Sequence, residues 1–195
     1  MEYINKTKLI LASQSPRRKE LLEQASILFD VIPSNIDENN IQENNPEKLV
    51  KTLSYLKAMD IAQNYPKNWV LGADTIVCIN GLILEKPDSK SNAVQMLKTL
   101  SNRKHTVLTG FTLCRGGKNK VITDIVKTDV FFKKLSDKEI EWYINTNEYF
   151  DKAGAYAIQG KGSFFIKKIH GSYTNVVGLP LCEVMEYLII ENVIK

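Results

Sequence analysis

Between Trp69 and Ile79 the chain reads Trp69-Val-Leu-Gly-Ala-Asp-Thr-Ile-Val-Cys-Ile79, apolar almost throughout. A strand with one wet face alternates apolar and polar residues. A near-continuous apolar run is the pattern of a strand covered on both faces. Around this strand, strand and helix signals alternate. An opening strand at about Lys8 to Ala12 runs into a helix from Pro16, and Phe29 to Ile32 is a second short strand. The polar stretch Ser34 to Asn45 reads as loop, and Pro46 opens a helix with Leu49, Val50, Leu53, Leu56 and Ile61 at helical spacing. Asn80-Gly81 is a hairpin signal leading to Ile83-Leu84. A helix from Ser89 to Ser101 precedes a strand from Thr106 to Cys114, which Gly116-Gly117 turns back along Val121 to Phe132. Ser136-Asp-Lys-Glu139 is a capping box before a helix through Tyr143. A Gly-rich segment, a strand near Phe164 to Ile169 and a helix from about Pro180 to Val193 complete the chain. The pattern predicts one α/β domain over residues 1–195 with a mixed sheet, open to division into two lobes around a cleft.

A chain of 195 residues can bury a substantial core. Its 44% hydrophobic and 25% charged residues are ordinary for a soluble globular protein. The net charge of +4 suits an acidic small molecule as well as nucleic acid, and does not choose between them. Cys78, Cys114 and Cys182 are far apart and odd in number, so they read as reduced, buried thiols. That only His105 and His170 are available speaks against a histidine-rich transition-metal site. Met1 to Asn5 lacks the layout of a signal peptide, and no apolar run reaches membrane-spanning length. The expectation is a cytoplasmic protein with no membrane association.

The first helix start carries an electrostatic anomaly. Ser15 is placed to cap and Pro16 to occupy the first helical position, and then Arg17, Arg18 and Lys19 follow. Cations are the wrong sign for a helix N-terminus, at roughly 0.3–1 kcal/mol each. An anion held there by helix N–H groups and arginines would resolve the conflict, and Ser13 ends the strand beside the same spot. The alternative is a solvated first turn whose cations point into water.

Other residues carry chemistry by their type and place. Asp74 stands among Ala, Thr, Ile and Val inside the apolar strand, so its charge requires a partner: a lysine, a metal ion or a reacting water. Glu85-Lys86-Pro87 places a cation at a strand end. Lys57 reads as an ordinary helix lysine on a face with polar neighbours. Asp37-Glu38 in the polar loop is a carboxylate pair that can hold a hard divalent ion when phosphates supply further ligands. In Asp151-Lys-Ala-Gly-Ala-Tyr-Ala-Ile-Gln-Gly-Lys-Gly162, glycines permit close backbone approach, and Gln159 can donate and accept on one edge, as a nucleobase requires. Neither a GxxxxGK[ST] loop nor a GxGxxG fingerprint is present.

Taken together, these segments resemble the Maf family of nucleoside triphosphate pyrophosphatases. The resemblance is carried by Ser13-Gln-Ser-Pro-Arg-Arg18, Ile36-Asp-Glu38, Lys57-Ala58, Gly72-Ala-Asp-Thr75, Glu85-Lys-Pro87, Leu100-Ser101 with His105 and Thr109-Gly110, Lys152 to Gly160, and Gly171-Ser-Tyr173 with Val177-Gly-Leu-Pro180. They run in the family's order over nearly the whole chain. The resemblance implies an ITPase-like fold, with a long twisted mixed sheet, flanking helices and a central cleft. It implies hydrolysis between the α- and β-phosphates with a divalent cation (Mg2+, Mn2+ or Co2+), and a homodimer. It assigns Arg17, Arg18, Lys57 and Lys86 to the phosphates with Ser13 beside them, Glu38 and Asp74 to the cation, and Asp74 also to the attacking water. Thr75 and Gln159 would read the base. Arg18, Thr75 and Gln159 look like the members acting on dTTP and UTP, because an amide matches the O4 acceptor and N3–H donor of uracil or thymine. Relatives acting on 7-methyl-GTP carry a tryptophan in the first motif, glutamine after the aspartate and glutamate in place of the amide. One departure is Leu56, where the family commonly has glutamate before the helix lysine.

The competing class is a binding module acting in septum formation or on nucleic acid. The cations are not gathered in long runs with interleaved aromatics, which speaks against a stable nucleic-acid partner.

Overall fold

A computed structural model describes residues 8–116 and 120–194. Met1 to Asn5 and Gly117 of the expected Gly116-Gly117 turn lie outside the described residues. The chain divides into two compact units. The first comprises Met1–Asp74, Thr109–Val126 and Gly178–Lys195, and the second Thr75–Leu108 and Lys127–Val177. In chain order the elements are β1 (Leu9–Leu11), α1 (Pro16–Gln24), β2 (Phe29–Val31), α2 (Pro46–Ala62), β3 (Trp69–Ile79), β4 (Leu82–Leu84), α3 (Lys90–Leu100), β5 (Lys104–Arg115), β6 (Lys120–Phe132), α4 (Asp137–Asn145), β7 (Ile166–His170), α5 (Tyr173–Val177) and α6 (Leu181–Ile190). The strands hydrogen-bond in the order β2-β1-β3-β5-β6-β7, with β4 on β3. β1 runs parallel to β2 and β3, whereas β4 and β7 run antiparallel to β3 and β6, so the sheet is mixed as expected.

In the first unit, β1 is buried along its whole length, and β3 as far as Asp74 is buried too. The helix α2 sits on these strands with almost no side-chain spacer. A Cβ at Gly72 would lie 2.5 Å from the Ser54 carbonyl oxygen and 2.7 Å from the Ala58 nitrogen, and one at Gly110 only 2.4 Å from the Val50 carbonyl oxygen. Helix backbone therefore rests on strand backbone. Ile10, Ala12, Ala58, Ile61, Ala62, Val70 and Cys114 close the core around this seam. The Ser54 hydroxyl donates to the Lys51 carbonyl at 2.9 Å and lies 3.1 Å from that of Thr112, which is 2.9 Å from that of the half-buried Thr123, so this chain of hydroxyls is satisfied.

The second unit has its own core of Val77, Leu84, Leu97, Leu100, Val107, Val130, Phe132, Tyr143 and Phe165. The expected local signals appear here. Asn80 (φ 50°) and Gly81 (φ 81°) turn β3 into β4. Ser136 and Glu139 form both halves of the capping box on α4. His105 is buried, with Nε2 2.7 Å from the Tyr156 hydroxyl and its ring edge-on to Phe132 at 4.9 Å. Burial pushes its pKa down to about 4, against a smaller opposing pull from Asp129.

Three expectations need correction. The strand near Phe164 starts only at Ile166, because Gly160–Phe165 winds as a 3-10 helix that buries Phe165 and turns its carbonyl to the Lys133 N–H at 2.8 Å. A short helix, α5, stands where none was predicted. The Ser172 hydroxyl accepts from the Asn175 N–H, and the buried Asn175 amide donates to the Val107 carbonyl and to Thr128. Of the three cysteines only Cys114 is buried, its thiol pushed up to about 11 by that burial; Cys78 is half-buried and Cys182 exposed on α6. No helix among the described residues is long and apolar enough to cross a membrane.

Gly110→Ala is expected to cost at least about 2 kcal/mol in denaturant unfolding, since its methyl meets backbone that has no rotamer to yield. His105 gives a pH dependence. It stays neutral in the fold to about pH 4 but takes a proton near 6.5 when unfolded, so stability falls as pH drops through that window. The loss attributable to His105 is about 3 kcal/mol between pH 6.5 and 4. His105→Gln should flatten the slope by that amount, and parallel stability–pH curves would refute the assignment.

Candidate active site

The turn from β1 into α1 distributes its three cations to different ends. Ser15 takes the N-cap position with Pro16 behind it, yet its side chain makes no capping bond. Its N–H instead donates to Ser13 Oγ at 3.2 Å. Arg18 turns inward and is buried. Its Nε donates to the Gly178 carbonyl at 2.8 Å, and its Nη1 to Ser13 Oγ at 3.1 Å. Arg17 stays half-buried. Lys19 is exposed and lies 3.6 Å from Glu23 one turn on, as a surface residue would.

A second group forms where α2 meets β3. Side chains two apart on a strand share a face, so Gly72 and Asp74 both look towards α2. The missing Cβ at Gly72 brings the helix close enough for Lys57 Nζ to reach Asp74 Oδ1 at 2.7 Å. The same ammonium lies 2.9 Å from Glu38 Oε1. Lys57 was expected on a polar face, and that is wrong. It is 8% exposed, because Leu53 and Ile61, one turn away on either side, put it on the buried stripe. Asp74 is 7% exposed and has the lysine partner its burial demanded.

The loop carboxylates separate. Glu38 opens a 3-10 turn (Glu38–Asn40) and reaches Lys57, while Asp37 accepts from the Asn40 side chain at 2.8 Å. Leu56, beside Lys57, is half-buried and apolar, so the second carboxylate on the lysine comes from Glu38. The donor set suits a hard divalent ion. Lys57 engages one oxygen of each of Asp74 and Glu38, each carboxylate has a second oxygen, and a magnesium-like ion takes few protein ligands when phosphates provide the rest. No cluster of three or more His, Cys, Asp or Glu suited to a metal occurs among the described residues.

Thr75, Lys86 and Gln159 lie in the second unit. Thr75 follows Asp74 on β3 and is half-buried. Lys86 is exposed and pairs with Asp151 at 2.6 Å, while the Gly154 N–H donates to the Glu85 carbonyl at 3.1 Å. Gln159 is half-buried at the start of the 3-10 helix Gly160–Phe165. Glu148 Oε2 accepts the Lys161 N–H at 2.8 Å and lies where a side chain at Gly160 would go, so it pins this turn. The roles of Glu148, Asp151 and the Gly178 carbonyl were not read from sequence. Asp151 and Gly178 sit in segments already singled out for other reasons; Glu148 gives no local signal.

Residues 8–190 match the family described as Maf-like protein. The chain is 51% identical to the dTTP/UTP pyrophosphatase of Syntrophus aciditrophicus (strain SB), covering 93% of this chain and 88% of that protein. It is 52% identical to the dTTP/UTP pyrophosphatase of Thermosipho africanus (strain TCF52B), covering 93% and 92%. Among solved structures it is similar to the Ham1 protein of Staphylococcus aureus, with a TM-score of 0.52 over 94% of this chain and 99% of that one. At 14% identity this likeness speaks for the fold alone.

The Lys57–Asp74 pair makes a stability prediction. Lys57→Met strands a buried carboxylate and is expected to cost about 3–5 kcal/mol, and adding Asp74→Asn should restore at least half of that. Urea midpoints of the two variants and the wild type decide it. A double variant less stable than Lys57→Met would refute the pairing as the cause.

Proposed function

The chain belongs to the Maf-like protein family, and from that premise we propose that it hydrolyses dTTP and UTP to the monophosphate and diphosphate. It is a nucleoside triphosphate diphosphatase. The observation that carries the mechanism is the buried Lys57 ammonium held between Asp74 and Glu38. Hydrolysis at the α-phosphorus needs negative charge offset, a water aligned and deprotonated, and both held in place. Lys57 is fixed by two carboxylates before substrate arrives, so little reorganisation is needed when a phosphate oxygen approaches.

Glu38 and Asp74 are the residues that would hold a divalent cation (Mg2+, Mn2+ or Co2+), which supplies positive charge against the triphosphate when bound. Asp74 accepts the proton of the attacking water. Arg17 and Ser13 bind the phosphates, and Lys86 does so on exchanging Asp151 for substrate. Thr75 and Gln159 read the base, on the strength of the family motifs and of the amide edge that pairs with uracil or thymine. The same reading has the protein act in the cytoplasm as a homodimer, without a nucleic-acid partner.

A nucleotide panel with each cation, scored for pyrophosphate against orthophosphate, tests the activity. Pyrophosphate with monophosphate from dTTP and UTP is the expected result; orthophosphate as first product would reject it. Asp74→Asn should lower turnover at least a hundredfold. Gln159→Glu should impair dTTP and UTP while sparing the phosphate chemistry, and equal loss on every nucleotide would make Gln159 structural.

A further inference from the structure

The two hydrogen bonds at Ser13 have a consequence for its proton. A serine hydroxyl offers two acceptor lone pairs and one donor. Ser13 Oγ accepts from the Ser15 backbone N–H at 3.2 Å and from Arg18 Nη1 at 3.1 Å. Both partners are N–H groups, so both bonds use lone pairs and neither uses the hydroxyl proton. Arg18 is locked from its other side, with Nε on the Gly178 carbonyl at 2.8 Å, a residue 160 positions away. Two of its five N–H donors are thus given to protein acceptors, in a planar fork that a lysine cannot reproduce.

We infer that Arg18 is a positioning residue, not a phosphate ligand. By filling the acceptor side of Ser13 together with the Ser15 N–H, it makes Ser13 a dedicated hydrogen-bond donor to a substrate phosphate oxygen. The cationic neighbour also polarises the hydroxyl and strengthens that bond. Of the cations opening α1, Arg17 touches the triphosphate and Arg18 sets the serine. This inference rests on the reading of the chain as a triphosphate hydrolase with Ser13 at the phosphates.

The test is a double-mutant cycle on kcat/KM with dTTP. Ser13→Ala should cost about tenfold to a hundredfold, the loss of one charge-assisted hydrogen bond. Arg18→Lys should cost no more than Ser13→Ala, and Ser13→Ala/Arg18→Lys no more than Ser13→Ala alone within about twofold. Arg17→Gln, by contrast, should add in full to Ser13→Ala. Full additivity of Arg18→Lys with Ser13→Ala means Arg18 contacts phosphate itself and overturns the inference.

Should Arg18→Lys fail to fold, the wild-type protein decides. On titration with a non-hydrolysable dTTP analogue, the Arg17 Nε–H resonance should shift several-fold more than that of Arg18. Equal shifts overturn the inference. Ser13→Ala with unchanged kcat/KM on an active enzyme removes Ser13 from the site, and the inference with it, while the hydrolase reading stands. Wild-type protein that leaves every triphosphate intact fails that reading itself.

Discussion

The contact on which the first unit depends is that of the α2 backbone with β3 and β5. Gly72 and Gly110 have no side chain to hold the helix off, and the carbonyls of Ser54 and Val50 occupy the space a Cβ would need. Once the helix lies that close, the residues beside the seam are committed. The Ser54 hydroxyl, which donates to the Lys51 carbonyl, meets Thr112 across the seam, and Lys57 has its ammonium delivered to Asp74. A larger residue at either glycine would push the helix outward and break an ion pair it does not touch.

Charge is handled in two ways, and burial separates them. Lys19, Lys86 and Lys104 meet carboxylates on the surface, where such pairs contribute about 0–1 kcal/mol. Lys57 and Arg18 are buried and direct hydrogen bonds at protein oxygens. The buried pair holds its geometry because each alternative leaves an unpaired charge in the interior. Among the cations proposed for the triphosphate, then, Lys57 is buried in its pair and Lys86 stands exposed in a surface pair.

What could be read from the sequence followed the range of the interaction. The Asn80-Gly81 turn, the Ser136–Glu139 capping box and the starts of α1 and α2 at Pro16 and Pro46 are set by residues within one turn of each other, and all appear. The burial of Lys57, which departs from the expected polar face, is nonetheless encoded locally, since Leu53 and Ile61 at four-residue spacing mark its face as buried. The 3-10 helix Gly160–Phe165 and α5 were missed for a different reason. Besides the local bonds at Ser163 and Ser172, they are held by Lys133, Glu148, Val107 and Thr128, which are distant in sequence. The same applies to Arg18: the Gly-Leu-Pro motif near Gly178 was recognised, but nothing in it announced an acceptor for an arginine.

Three features of the site break a local folding rule. Asp74 is a carboxylate within an apolar strand, Lys57 a lysine on a buried helix stripe, and Arg18 a buried cation in the first turn of a helix. Each would destabilise its own element, and each is tolerated only because a residue from another element completes it. As packing this is a poor solution, since apolar side chains of similar volume would fill the same space at equal or greater stability. What apolar residues could not do is present fixed charge and an oriented hydroxyl to a polyanion before it binds. The departures from the folding rules therefore fall at the residues to which the proposed hydrolysis of a triphosphate gives roles.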